Sequence, residues 1–417
     1  MKKLIILLSA ALVLCAARTA RADGDKSLFT SAAVITESVP LETDYGSALT
    51  ARAPQVWLEM INSAQDSIDI GVFYIISRPG TAMETVISAL KAAAARGVKV
   101  RILVDSVFYR KMPDTPDELK KVPGIQLRTV DYNKINGGVM HAKYFVVDGK
   151  ELYAGSQNFD WRSLEQIHEV GVRLRIPEIA ANFTDVFNLD WQLAQNPAVP
   201  SRLPAAKNPV NRAHPVRFVW PGSDEQIEVY PAFGPQSLNP NGLDCEITEL
   251  LNGINKAEKY IKIQVMSFKT RTYGTKEQWT ELTDALAGAA GRGVKIRLIV
   301  ADWTMSGDAA ARIKTLAKTP NISVKVSAIS QYSKEFVEFA RVEHCKYFTA
   351  DGKISFISTS NWERSYFYQA RNAAIILAGA EVASVMEDMF DTSWNSRFAA
   401  PVDPDKKYIP PRREKKK

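Results

Sequence analysis

Residues 139–171 read VMHAKYFVVDGKELYAGSQNFDWRSLEQIHEVG. Tyr144 to Val147 is an apolar run of strand formers, Asp148-Gly149 is a tight-turn dipeptide, and Glu151 to Ala154 resumes as a second strand. The stretch predicts a β-hairpin. Side chains alternate along a strand, so His141 and Lys143 leave one face about 7 Å apart. Gly155-Ser156-Gln157-Asn158 then predicts a small-residue turn that sets a hydroxyl and an amide beside that pair. An imidazole, an ammonium group and an amide converging on one spot suit an oxyanion, and phosphate fits best.

The pattern occurs twice. His344, Lys346, Asp351 and Asn361 each follow His141, Lys143, Asp148 and Asn158 at one constant offset. That offset also pairs Tyr144 with Tyr347, Phe145 with Phe348, Gly149 with Gly352, Gln166 with Gln369, Phe187 with Phe390 and Trp191 with Trp394. A register held that long is an internal duplication. Upstream, Ile61-Asn62-Ser63-Ala64 matches Ile254-Asn255-Lys256-Ala257, and Arg96-Gly97-Val98-Lys99 matches Arg292-Gly293-Val294-Lys295.

H-x-K-x(4)-D followed by G-S-x-N, present twice in one chain, resembles the phospholipase D superfamily. GSQNFDWRSLEQIHEVGV and STSNWERSYF are most similar to its subgroup of lysosomal phospholipase D-like proteins, to which 5′-exonuclease action and lipid roles are assigned. The resemblance implies an α/β fold of two pseudo-symmetric repeats, each a mixed sheet flanked by helices, with the active site at the repeat interface. It also implies a phosphohistidine intermediate and catalytic roles for His141, His344, Lys143, Lys346, Asn158 and Asn361. It places a carboxylate at Glu169, bonded to the histidine of the opposite repeat, where the second copy has Asn372. Glu169 is then expected to raise the pKa of His344 and make it the general acid, leaving His141 as nucleophile.

The residues support the same division of labour. One imidazole attacks phosphorus, while the other protonates the leaving oxygen and then activates water. Lysines and asparagines hold the non-bridging oxygens, so no metal and no cofactor is expected. Ser156 and Thr359 are read as substrate-binding hydroxyls. Asp148 and Asp351 belong to the motif, yet each sits in an Asp-Gly turn and is read as structural.

Met1 to Ala22 reads as a secretory signal, with Lys2-Lys3 as a basic head, an apolar run from Leu4 to Ala17, and Ala20-Arg21-Ala22 as the cleavage site. A secreted or periplasmic protein follows. Repeat one is assigned to 23–195, a Pro-rich linker to 196–225, repeat two to 226–400 and a basic tail to 401–417. The chain has formal net charge +7. Removing Lys2, Lys3, Arg18 and Arg21 with the signal, and setting aside the basic tail, leaves a folded body that is net acidic. Any basic groove must therefore be local.

Amphipathic helices are expected at Val56–Gln65, Met83–Ala95, Glu178–Gln195 and Ala380–Phe398, and strands at Ser67–Ile75, Val98–Asp105 and Val294–Asp302. The linker is expected to be an ordered strap, and the tail disordered and solvated, with contact to an anionic surface as its sharper reading. Cys245 and Cys345 are read as buried thiols and His168 as structural. No obligate protein partner is evident. Three functions compete: headgroup hydrolysis or exchange on a phospholipid, trimming of single-stranded DNA or RNA, and non-catalytic phosphate binding. For a nuclease, Tyr74, Phe159, Trp161, Trp362, Tyr366 and Phe367 are the candidate base platforms.

Overall fold

The computed structural model describes residues 31–272 and 277–414, so the expected signal segment 1–22 lies outside the described residues. Among the described residues, an eight-stranded sheet runs Ala51–Arg52, Ala33–Ser38, Glu169–Leu174, Glu151–Gly155, Lys143–Val147, Ser67–Val72, Lys99–Asp105 and Ile125–Val130. A second sheet repeats that order with Val216–Val219, Gln226–Gly234, Asn372–Ala378, Ile354–Ser358, Lys346–Ala350, Tyr260–Val265, Lys295–Ala301, Ile322–Ser327 and Ala399–Pro401. Each is mixed: the hairpin strands pair antiparallel, and the three strands reached through helices pair parallel. The fold is α/β with two pseudo-symmetric halves.

Helices cover the sheets because their apolar spacing demands it. In Ala53–Ser63 the residues Val56, Trp57, Met60 and Ile61 fall on one face, and all four are buried. Pro177–Leu193 and Ala380–Asn395 close the two halves. The shared aromatics stack identically, Phe187 on Trp191 and Phe390 on Trp394, each pair at 5.6 Å and 23°. One apolar core takes Val172, Phe183 and Phe187 from the first half with Ile227, Ile375 and Phe390 from the second. The halves are thus fused through their cores.

Two expected elements differ in ways that matter. The strand expected through Ile75 ends at Val72, and Ile75–Ile76 instead pairs with Phe159–Asp160. The break releases Phe73 and Tyr74 from the sheet and brings Phe73 edge-on to His141. The C-terminal segment contacts the body near both ends of its described length, with most of 403–412 exposed between them. Val402 is buried and its N–H donates to Val324 O (2.9 Å), while Phe339 N–H donates to Arg413 O (2.9 Å). Arg412 lies over Phe336 and Arg413 over Trp303. The expectation of disorder rested on charge, and it missed that guanidinium groups find aromatic faces here. The residues 196–225 cross the surface with one short edge strand, Val216–Val219, and bury Ala206, Val210 and Trp220.

Candidate active site

The two H-x-K segments meet where the halves join. Met140 bridges to Arg371 and His168 bridges to Glu343, so each segment is laid against the opposite half. His141 N–H donates to Arg371 O and His344 N–H donates to His168 O, both at 2.9 Å. His141 lies just before its strand, which begins at Lys143, so this cross-half bond fixes the imidazole. Each ring is held through Nδ1: His141 by Asn372 Oδ1 (2.9 Å) and His344 by Glu169 Oε2 (2.7 Å). Among the described residues neither Nε2 has a hydrogen-bond partner, which leaves both for a substrate.

Lys143 and Lys346 are 1% and 0% exposed, and each ammonium group donates to the carbonyl of the histidine two residues back. Burial pushes both lysines down, Lys346 to about 8. Burial, followed by the two ammonium groups, pushes both imidazoles well below their usual range. Glu169 is pushed up by burial to about 8. The expectation that Glu169 raises the pKa of His344 is therefore corrected: burial and the two lysines push it down. Burial favours the neutral form of the Glu169 carboxyl and, with the lysines, the neutral form of the His344 ring, which suits one proton held between the pair.

Ser156 and Thr359 need a correction too. Both are fully buried. Ser156 Oγ accepts from Val170 N–H (3.0 Å), while Thr359 Oγ donates to Asn372 Oδ1 (2.8 Å) and accepts from Ala373 N–H (3.0 Å). Their hydroxyls are spent pinning the turn to the next strand, so they position Glu169 and Asn372 and do not touch substrate. Asn158 and Asn361 sit in those turns; their buried Oδ1 atoms have no partner and only accept, so a phosphate oxygen would have to be met by the amide nitrogens. Asp148 accepts from the N–H groups of Gln65, Asp66 and Ser67, and Asp351 from those of Glu258, Lys259 and Tyr260. Both aspartates tie a helix end to a strand, on a left-handed turn (φ 52° and 56°), away from the imidazoles.

The sequence profile of the "Cardiolipin synthase, PLD-like domain" family matches residues 57–191 and 250–394, one match per half. This chain belongs to the phospholipase D-like family. Phospholipase D Z of Dictyostelium discoideum is 31% identical over 428 residues, covering 96% of this chain and 99% of that protein. The virion nicking-joining enzyme of Vaccinia virus (strain Western Reserve) is 29% identical, covering 88% of each. The 5′-3′ exonuclease PLD3 of Bos taurus is 30% identical, covering 89% and 81%. In fold, the chain is similar to the phosphatidylserine synthase of Haemophilus influenzae, with TM-score 0.57 and 12% identity over 84% of this chain and 85% of that one.

Around this phospholipase D-like centre the aromatic residues divide sharply. Phe159, Trp362 and Phe367 are 1% exposed and belong to the packing, which removes them as base platforms. Tyr366 meets the His141 ring edge-on at 4.5 Å, and Tyr74 donates its hydroxyl to Asp160 (3.1 Å). Trp161 is half-buried under Arg78. Sequence reasoning missed Phe73 and Phe108. Phe73 lies edge-on to His141 at 4.9 Å with Lys143 over its face, and Phe108 packs on it at 3.9 Å. The available signal was an aromatic pair at the end of a strand that neighbours the catalytic hairpin. Cys345 is buried behind the site and Cys245 is half-buried, so only one of the two thiols is fully enclosed.

Proposed function

We propose that this chain is a metal-independent phosphodiesterase that works through a phosphohistidine on His141. The observation that carries the proposal is the orientation of Asn372. Its Nδ2 donates to Tyr366 O (2.8 Å) and its Oδ1 accepts from Thr359, so Oδ1 must face His141 Nδ1. An amide oxygen only accepts, so Nδ1 carries the proton and Nε2 presents its lone pair. That tautomer is a nucleophile. His344 is backed by a carboxyl group that can hold and return a proton, which suits the general acid and then the base that activates water.

Lys143 and Lys346 take the non-bridging oxygens, and a phosphodiester anion entering the site offsets the charge that depresses the imidazoles. Uncatalysed phosphodiester cleavage is so slow that an enzyme must remove on the order of 20 kcal/mol of barrier. Covalent catalysis splits that barrier, and preorganised cations lower both halves of it. The headgroup ester of a phospholipid is the first substrate reading, supported by the relative named phospholipase D Z over nearly its whole length. The basic head and apolar run of Met1 to Ala22 support a secreted or periplasmic location.

A specific observation favours a second reading. Phe73, Tyr74, Phe108 and Tyr366 form an aromatic wall beside His141, with Lys111 over Phe108 at 5.0 Å. Stacking faces beside a cation suit the bases of a single strand, in keeping with relatives named exonuclease and nicking-joining enzyme. The test is one purified protein given mixed phospholipids and a single-stranded oligonucleotide in parallel. Phosphatidic acid or exchanged lipid supports the first substrate and released nucleotide the second. Neither product, with or without a divalent ion, refutes the enzyme.

A further inference from the structure

Behind His344 lies a second histidine, fully enclosed. His168 Nδ1 is 2.6 Å from Glu343 Oε2, and its Nε2 is 2.7 Å from Glu37 Oε1. All three residues are 0% exposed. Glu37 Oε2 receives the Ser47 N–H (2.9 Å), the Thr50 hydroxyl (2.7 Å) and Arg52 (3.4 Å). Glu343 receives the Cys345 N–H on Oε1 (2.9 Å) and the Gln264 amide on Oε2 (2.6 Å), while Tyr347 fixes that amide by donating to Gln264 Oε1 (2.7 Å). Tyr45 stacks on the ring at 4.6 Å and 20°. Every neighbour of the carboxylates donates, so both are acceptors. Gln264 Nε2 also lies 3.3 Å from Nδ1 and Cys345 Sγ 3.8 Å from it, but the shorter contact of that amide is to Glu343. A neutral imidazole has one donor, and here each ring nitrogen faces a carboxylate oxygen at 2.6–2.7 Å.

The other half shows what the position is for. Arg371 is the counterpart of His168 under the offset that pairs His141 with His344. It is also 0% exposed, held by Asp190 at 2.9 Å and by Asn239 at 3.1 Å. Arg371 gives its carbonyl to His141 N–H and His168 gives its carbonyl to His344 N–H. The residue after each, Asn372 or Glu169, holds the Nδ1 of that same histidine. A buried cation, its carbonyl and the following side chain thus form one brace, built twice.

We infer that His168 is a standing imidazolium, a positioning residue that braces His344 as Arg371 braces His141. This rests on the proposed function only for the reaction it serves. The direction agrees: burial pulls the ring down, while Cys345 when ionised and Glu343 lift it. Burial keeps the Cys345 thiol protonated, so Glu343 supplies the charge at neutral pH, and His168 in turn holds Glu343 low. His168, Glu343 and Cys345 are also residue types that bind metals, yet Nδ1 and Oε2 at 2.6 Å are closer than ligands sharing one ion, which sit roughly 3.3 Å apart. A proton fits that gap.

The test reads the ring directly. The chain has four histidines, so the double variant His141→Ala/His344→Ala leaves His168 and the exposed His214. In that protein labelled with ¹⁵N-histidine, the His168 nitrogens should keep imidazolium shifts well above the ordinary midpoint of about 6.5, with no activity required. Adding Glu343→Gln should lower the midpoint at which they change. A neutral ring at pH 7, or a midpoint near the ordinary value of about 6.5, overturns the inference. In the active protein, His168→Gln should lower kcat about tenfold with little change in KM. It should also move the pH limb set by His344 upward, because Glu343 is left uncompensated beside it. An unmoved profile with unchanged kcat overturns the positioning role.

Discussion

The Glu169 carboxyl meets His344 Nδ1 at 2.7 Å across 175 residues of sequence, joining the two halves through one proton. Burial pushes Glu169 up to about 8, and it pushes His141 well below the usual imidazole range. His141, the proposed nucleophile, is thus neutral from below about pH 6.5 upward, while the proton on Glu169 remains until about pH 8. The kcat/KM profile should be a plateau between those limits. Lys346, also brought down to about 8, loses its charge over the same upper range and adds to the fall. In Glu169→Gln the proton rests on His344 alone, which burial and the lysines push down. Its alkaline limb should move to lower pH. An alkaline limb that stays put would assign that limb to Lys346.

The lysines and the motif aspartates should separate in a paired measurement of rate and stability. Lys143→Met and Lys346→Met keep volume but remove a transition-state contact, about 3 kcal/mol or roughly a hundredfold in kcat. Removing a desolvated cation should leave the melting temperature unchanged or higher. Asp148→Ala frees three backbone N–H groups at a helix-to-strand junction. It should lose about 1–3 kcal/mol of stability and little intrinsic activity. Equal rate losses in all three folded variants would contradict this split.

These roles were legible to different depths. The H-x-K pairs could be read because a duplication advertises itself: two identical registers point to one shared site. Glu169 carried no signal of its own, and only the family resemblance pointed to it. His168 was placed as structural, but its charge could not be read, since Glu37 and Glu343 are far away in sequence and neither belongs to a motif. The base platforms were half wrong for a related reason. Composition cannot tell an aromatic that lines a cleft from one that fills a core, and Phe159 and Trp362 fill the core.

Gly155 should resist every larger residue. A Cβ there would fall 2.5 Å from Gly171 Cα and 2.6 Å from Val170 O, atoms of a neighbouring strand that cannot swing aside. The second half accepts Ser358 at this position and uses its hydroxyl on Glu246. Gly155→Ala should therefore destabilise by about 1–3 kcal/mol and displace the turn that carries Ser156 and Asn158. Denaturant unfolding measures the first effect and kcat the second. A variant as stable and active as wild type would show that the strands can spread.

Activity should survive EDTA, because the positive charge facing phosphate comes from Lys143 and Lys346. The same preparation assayed before and after dialysis against chelator gives the answer. Complete loss, restored by a divalent ion, would require a metal in the mechanism.

The two histidines provide the sharpest test of the chemistry. His141→Ala removes the nucleophile, so phosphoenzyme and turnover should disappear together. His344→Ala should behave differently with a p-nitrophenyl phosphodiester, whose leaving group needs no proton. His141 can then attack, and nothing activates the water that clears it. Phosphohistidine should accumulate on His141, seen by intact mass after rapid quenching. Asn372 predicts the same asymmetry, because it fixes the tautomer of His141 and cannot carry a proton for it. Label kept in His141→Ala and missing in His344→Ala would exchange the two roles, and the tautomer argument would fall with them. Absence of label in both variants and in rapidly quenched wild type would remove the covalent step itself.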